Sequence, residues 1–229
     1  IDGVHRYYPD VYGVGSSVVV LVGPCEEYVA SRLGKDGKLA PWVGPASGAF
    51  ETRGGDPFSI VGARLYAWSS WSRVRTATVD PATGAPSGWR VLTKNPDAIN
   101  GHVLHAYTGT VGTAANGKRY LFSIGGLNYG GGDHANAKIL PNVCWAALDT
   151  PDVWKDTTPL PYPAMSATVV PWRDRLIVLG GGDSTDPRGR NNDGVHMAVV
   201  QPGGGVGPWK KGAGMPWKAR GVPAFVGGD

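Results

Sequence analysis

The feature of this chain that most limits its fold is a sequence pattern that occurs four times. Each copy has an apolar run, then a second β-forming run, then a turn rich in Gly and Pro that a Trp closes. The apolar runs are 18–23, 65–70, 120–126 and 176–181, and the closing residues are Trp42, Trp89, Trp154 and Trp209. From the start of each run to its Trp there are 24, 24, 34 and 33 residues. A pattern repeated in this order predicts one structural unit per copy.

Each copy predicts a small antiparallel sheet. Strands are expected at the apolar runs, at the third runs 28–33, 74–79, 143–148 and 195–200, and around the Trp residues. In copies two to four a further strand is expected at 58–61, 106–112 and 166–170. Turns are expected at Gly62-Ala63 and Arg173-Asp174, and at 80–84 in the form Asp-Pro-x-x-Gly. Each closing Trp is expected to pack between neighbouring copies. A repeat of about 50 residues with four strands is typical of a β-propeller blade. We therefore expect an all-β propeller of four blades over residues 16–229, as a single domain.

The two ends of the chain depart from the repeat. Residues 1–15 are rich in Tyr, Gly and Pro and are expected to form an N-terminal extension. The strand that copy one lacks is expected at 221–226, because 215–226 is similar to 160–170. We therefore expect this C-terminal strand to close the N-terminal blade and complete a ring of four, which would remove exposed sheet edges. Membership of a larger ring is the alternative.

Composition excludes two classes of partner. The net charge is +4, and the longest basic run is Lys210-Lys211, so nucleic-acid binding is not expected. An apolar stretch of 18 residues is missing from the sequence, so we expect no membrane-spanning helix. Cys25 and Cys144 fall in copies one and three, which opposite blades would hold apart. We expect them to be buried free thiols.

The order of motifs within a copy resembles the kelch repeat. The residues that carry the resemblance are Met-Pro and Arg before a strand, then Leu-Ile-Val-Leu-Gly-Gly, a second strand, a turn and Trp. Bacterial and phage-type kelch repeats have the turn Asp-Gly-x-Leu-x-x-Trp, which matches 36–42. The resemblance covers 16–229, although copies one and two lack the double glycine. It implies a kelch-like β-propeller, in a family that usually has more than four blades. It also implies an extracellular, cell-surface or virion setting.

Two long connections, 125–138 and 180–194, account for the greater length of copies three and four. By the repeat they lie at the same end of adjacent blades. Glycine lets a backbone approach a ligand, and the polar side chains offer directed hydrogen bonds. The candidate ligand-binding residues are Asn128, Tyr129, Asp133, His134, Asn136, Asp183, Asp186, Arg188, Arg190, Asn191 and Asp193. Our leading hypothesis is a non-catalytic binding or structural module that recognises a glycan or a protein partner here.

Two other functions stay open. A carbohydrate-active enzyme, such as a mutarotase, lyase or oxidase, would need Asp133, His134, Asp183, Arg188 and Arg190 to converge around a pocket. A structural subunit of a homo-oligomer or larger assembly would use the aromatic segment 7–12 as an interface. The sequence has no Gly-x-Ser-x-Gly motif for a nucleophile.

Oxygen-bearing side chains at 183, 186, 191 and 193 raise the question of calcium. Their spacing does not fit an EF-hand loop, so Asx-turns are the preferred interpretation. His102 and His105 could start a zinc site, but the other histidines are isolated along the chain. We therefore predict no cofactor.

Overall fold

A computed structural model describes residues 10–14, 17–22, 27–46, 57–69, 73–94, 104–105, 107–128, 138–183, 191–221 and 224. The regular elements among these residues are all strands. The described residues contain no helix of the length and apolarity that a membrane crossing requires. By contact density the chain divides into two compact units, Ile1–Leu92 and Thr93–Asp229.

Sixteen of the strands form four antiparallel sheets, each with four strands in chain order. The first sheet has β1 (Asp10–Val14), β2 (Ser17–Val22), β3 (Glu27–Arg32) and β4 (Val43–Ala46). The second has β5 (Phe58–Val61), β6 (Arg64–Ser69), β7 (Arg73–Val79) and β8 (Pro86–Lys94). The third has β10 (Thr108–Thr113), β11 (Arg119–Ile124), β14 (Val143–Ala147) and β15 (Thr150–Asp156). The fourth has β16 (Thr168–Trp172), β17 (Arg175–Leu179), β18 (Val195–Val199) and β19 (Lys210–Lys211). Each sequence copy therefore forms one sheet, as predicted.

The first sheet corrects the expectation for the chain ends. β1 comes from the predicted N-terminal extension and pairs with β2 over five residues, from Asp10 opposite Leu21 to Val14 opposite Ser17. The four described strands of this sheet all come from residues 10–46. The prediction that residues 1–15 supply no strand is wrong for 10–14. Val11, Tyr12 and Val14 favour a strand, but Gly13 and the preceding Pro9 are more typical of turns. The strand expected at 221–226 falls largely outside the described residues.

The second sheet shows why the predicted turns form where they do. Val61 pairs with Arg64 across a two-residue turn in which Gly62 has a φ of 61°. After β7 the carboxylate of Asp80 accepts hydrogen bonds from the backbone N–H of Ala82 at 2.8 Å and from the hydroxyl of Thr83 at 2.9 Å. These bonds hold the pKa of Asp80 below its usual value. The predicted Asp-Pro-x-x-Gly turn is confirmed.

The third and fourth sheets share one hydrophobic core. It joins Phe122 and Val143 of the third sheet to Leu176 and Val178 of the fourth, all of them buried. Gly112 of β10 lies in this core, where a Cβ would lie 2.8 Å from the Phe122 ring and 3.1 Å from Leu176. Gly is needed there because the interiors of proteins are close-packed.

The four closing Trp residues differ in burial. Trp154 is buried, Trp89 packs against the core of the second sheet, and Trp209 packs against the core shared by the third and fourth. Trp42 is 48% exposed, contrary to the expectation that every closing Trp packs between blades. Cys144 is buried and not in a disulfide, as predicted, and its thiol donates a 3.2 Å hydrogen bond to Asp156 Oδ1. Cys25 lies outside the described residues.

A small sheet that the sequence did not predict joins the third unit of the repeat. It contains β9 (Leu104–His105), β12 (Leu127–Asn128) and β13 (Lys138–Ile139), with β12 in the middle. Leu127 pairs with both His105 and Ile139. Part of the long connection between β11 and β14 is therefore paired backbone.

Candidate functional site

The base of the candidate site is a pair of double glycines, one after β11 and one after β17. Gly125 and Gly180 have φ values of 65° and 61°. A Cβ at Gly125 would overlap the carbonyl oxygen of Ala164, and a Cβ at Gly180 would overlap that of Ala219. Side chains are excluded at both positions by conformation and by space. The long connections therefore start from two rigid and equivalent points.

The dipeptide Ala164–Met165 is hydrogen-bonded to the start of both connections. The carbonyl of Ala164 accepts a hydrogen bond from the N–H of Gly126 at 2.8 Å. The next residue, Met165, exchanges two backbone hydrogen bonds with Gly182, of 3.0 and 2.8 Å. The connections that follow β11 and β17 therefore begin side by side, as the repeat predicted.

Beside this base Tyr162 packs against His196. The ring centroids are 5.1 Å apart, and the Tyr162 hydroxyl donates a 3.0 Å hydrogen bond to the carbonyl of Gly180. Burial raises the pKa of Tyr162 to about 12, so the hydroxyl stays a donor at physiological pH. Burial, and next the charge of Lys211, lower the pKa of His196. The imidazole is therefore mainly neutral near pH 7.

The returning part of the β17–β18 connection brings polar atoms to His196. Asn192 Oδ1 accepts a 2.6 Å hydrogen bond from the N–H of Gly194. A Cβ at Gly194 would lie 2.8 Å from that oxygen and 3.1 Å from His196 Cε1, so Gly194 allows the two side chains to approach. In the described part of the chain, Asn191 Oδ1 and His196 Nδ1 are buried without a hydrogen-bond partner. Most buried polar atoms in native structures have a hydrogen-bond partner, so both atoms can accept a hydrogen bond from a water or a ligand.

The structure describes four of the predicted site residues. Asn128 is half-buried in β12, Asn191 is half-buried beside Gly182, and Asp183 and Asp193 are exposed at the two ends of the β17–β18 connection. The other predicted site residues lie outside the described residues: Tyr129, Asp133, His134, Asn136, Asp186, Arg188 and Arg190.

The proposed metal ligands are only partly described. Among the residues that the structure covers, no group of three or more His, Cys, Asp or Glu side chains is arranged to hold a metal ion. His105 lies in β9, paired with Leu127, and His102 is outside the described ranges. Asp186, one of the candidate calcium ligands, is also outside them.

Sequence reasoning missed Tyr162, His196 and Arg220 as residues of this site. The Arg220 side chain lies against Gly182, since a Cβ there would be 3.1 Å from Nη1 and 3.2 Å from Cδ. The signal for Tyr162 and Arg220 was present in the similarity of 160–170 to 215–226. That similarity predicts a strand, and it also identifies the two segments whose carbonyls bind the double glycines.

The chain is similar to a solved structure described as the structure of YjhT. The TM-score is 0.61 at 17% sequence identity, and the alignment covers 95% of this chain and 67% of that chain. At this identity the similarity concerns the fold alone. No protein-family model matches the sequence, and no curated protein is similar to it.

Proposed function

We propose that the four sheets are kelch-type β-propeller blades and that the chain is a non-catalytic module that binds a glycan. The ligand would lie at the ends of the third and fourth sheets from which the β11–β14 and β17–β18 connections leave. The proposal on the fold is supported by the repeat, by the sequential order of strands and by the double glycines after β11 and β17.

One observation carries the binding proposal: the buried and unpartnered Asn191 Oδ1 and His196 Nδ1. A sugar hydroxyl both donates and accepts hydrogen bonds, so it suits an amide oxygen and a neutral imidazole nitrogen. The exposed carboxylates of Asp183 and Asp193 begin and end the same connection and add acceptors for further hydroxyls. A glycan, whose hydroxyls can donate to these acceptors and accept from the Arg220 side chain beside Gly182, fits this set of groups.

The rigid base favours binding as well. Gly125, Gly180 and the Ala164–Met165 dipeptide fix the start of both connections before any ligand arrives. A preformed base reduces the ordering cost of binding. Long connections on a rigid scaffold are where binding residues concentrate in proteins.

The test is a glycan array with the parent chain, followed by titration of the best glycan. His196→Phe keeps the ring beside Tyr162 but removes Nδ1, and we expect it to weaken binding about tenfold, the value of one lost hydrogen bond in a desolvated site. Arg188→Ala removes a predicted ligand-binding residue of the same connection. Lys35→Ala, an exposed lysine between β3 and β4 of the first sheet, is the matched control and should bind like the parent. The proposal would be contradicted by glycan binding that both His196→Phe and Arg188→Ala leave unchanged. It would also be contradicted if the chain bound proteins and none of the glycans.

A further inference from the structure

A groove of about 580 Å³ lies at the end of the third sheet opposite to the candidate site. The candidate site lies beyond Ile124, where β11 ends, whereas the groove lies at Lys118 and Arg119, where β11 begins. The turn between β14 and β15 forms a second wall, and Pro202 and Gly203 of the turn after β18 form a third. The two sites therefore lie at opposite ends of the same strands.

The walls of this groove are held in place by contacts between the third and fourth sheets. The carbonyl of Pro202 accepts hydrogen bonds from the Tyr120 hydroxyl at 2.6 Å and from Asn116 Nδ2 at 3.3 Å. Gly204 lies so close to the Trp145 ring that a Cβ there would overlap it. Trp145 also meets Tyr120 edge to face, with centroids 5.4 Å apart. The groove therefore exists before any ligand binds, which lowers the cost of binding.

The lining has an excess of positive charge. Lys118, Arg119 and Lys155 are exposed there, against the single carboxylate of Asp149. Within the described ranges none of these cations forms an ion pair, and Lys155 Nζ instead lies 5.3 Å from the centroid of the Trp145 ring. Cations that face a groove without carboxylate partners favour anionic ligands.

We propose that this groove binds an anionic saccharide, that is, a sugar with a carboxylate or a sulfate. The cations would hold the anionic group, and Asp149 and Thr150 on the facing turn would accept hydrogen bonds from sugar hydroxyls. A saccharide with one anionic group presents several hydroxyls to Asp149, whereas an acidic peptide presents further carboxylates, so we favour the saccharide. The volume of the groove falls in the range of small-molecule sites and suits a ligand of about two sugar rings.

The test is isothermal titration calorimetry of the whole chain with three disaccharide probes: digalacturonate, a sulfated disaccharide and neutral lactose. We expect at least one of the two anionic probes to bind and lactose not to bind. The variant Lys118→Ala/Lys155→Ala should lower the affinity at least about tenfold and reduce its dependence on salt. Lys210→Ala, an exposed lysine of β19 outside the groove, is the matched control and should bind within about twofold of the parent. These exposed lysines lie outside the core, so all variants should keep the melting temperature of the parent.

Three results would overturn this proposal: no binding of either anionic probe, binding that the double variant leaves unchanged, or equal affinity for an acidic hexapeptide. The last result would assign the groove to peptides. The outcome is separate from the function proposed above, because His196→Phe should not alter binding in the groove. Digalacturonate and the sulfated disaccharide distinguish carboxylate from sulfate as the preferred group.

Discussion

The segments that follow β15 and β19 make the same backbone contact with a double glycine, but their aromatic side chains have different surroundings. In the first, the Ala164 carbonyl covers Gly125 and Tyr162 packs on the fourth sheet, through Gly180 and His196. In the second, Ala219 covers Gly180 in the same way, but Trp217, the equivalent of Tyr162, is 65% exposed. Each segment is therefore fixed by the double glycine of its own sheet. The contact of its aromatic residue with a following sheet is a separate interaction.

The strongest test of this comparison is to place a Cβ at each double glycine. Gly125→Ala and Gly180→Ala should each lower the free energy of unfolding by about 3 kcal/mol or more, because a positive φ adds to an overlap with a backbone carbonyl. Gly117→Ala has a φ of 80° but no atom within 4 Å of the new Cβ, so it should cost only about 1 kcal/mol. Urea unfolding of the three variants measures the difference. Equal losses in all three would mean that the carbonyl contacts contribute nothing.

The next test compares the two aromatic residues. Tyr162→Ala should cost about 2–3 kcal/mol, since it removes a half-buried ring and a hydrogen bond to Gly180. Trp217→Ala should change stability by no more than about 0.5 kcal/mol, because the side chain is largely exposed. Melting temperatures of both variants against the parent are sufficient. A large loss in the Trp217 variant would show that the second segment has a packing partner after all.

A smaller effect is expected at alkaline pH. The pKa of Tyr162 is about 12 in the folded chain against 10.0 for an ordinary tyrosine. The unfolded chain therefore loses this proton first, and stability should fall as the pH rises from 10 to 12. Tyr162→Phe has no hydroxyl to ionise, so it should remove this part of the fall in stability. The variant also lacks the hydrogen bond to Gly180. Urea midpoints between pH 9 and 11 measure it, and an unchanged slope in Tyr162→Phe would assign the fall to other groups.

The smallest effect is expected from His196 at acidic pH. Its pKa is lowered in the folded chain, so the unfolded chain binds the proton more readily. Stability should therefore fall as the pH drops below the ordinary value of 6.5. His196→Phe should flatten this part of the pH dependence between pH 7 and 5. A steeper fall in the variant would mean that protonated His196 stabilises the fold.

The sequence predicted the sheets well where a periodic apolar run and a turn residue agreed. β5 at Phe58–Val61 has the predicted bounds, and the turn at Arg173 and Asp174 lies where expected, with Arg173 at a φ of 53°. β1 was missed because Gly13 and the preceding Pro9 suggested a turn, although Val11, Tyr12 and Val14 favour a strand and pair with β2. Local pattern does not encode a partner.

The candidate site was predicted less completely. The double glycines and the direction of both connections followed from the repeat. The contact of Tyr162 with His196 joins residues that belong to different copies, and the groove depends on the approach of Pro202 to Tyr120, 82 residues away. Contacts of this length depend on how two sheets dock, which no single copy of the repeat specifies.

The docking of the third sheet on the fourth also affects the order in which the compact unit Thr93–Asp229 can fold. Every strand of the third and fourth sheets pairs with a strand next to it in the sheet's own chain order, so each sheet can grow by pairing successive strands without waiting for the other sheet. The bonds from Tyr120 and Asn116 to Pro202 close a far longer loop and need both sheets to be present. We therefore expect the third and fourth sheets to form as separate kinetic steps, with the Pro202 turn docking last. Pulse-labelled hydrogen exchange measures this order. Protection of the backbone amides in the turn after β18 before those of the strands in the fourth sheet would argue against it.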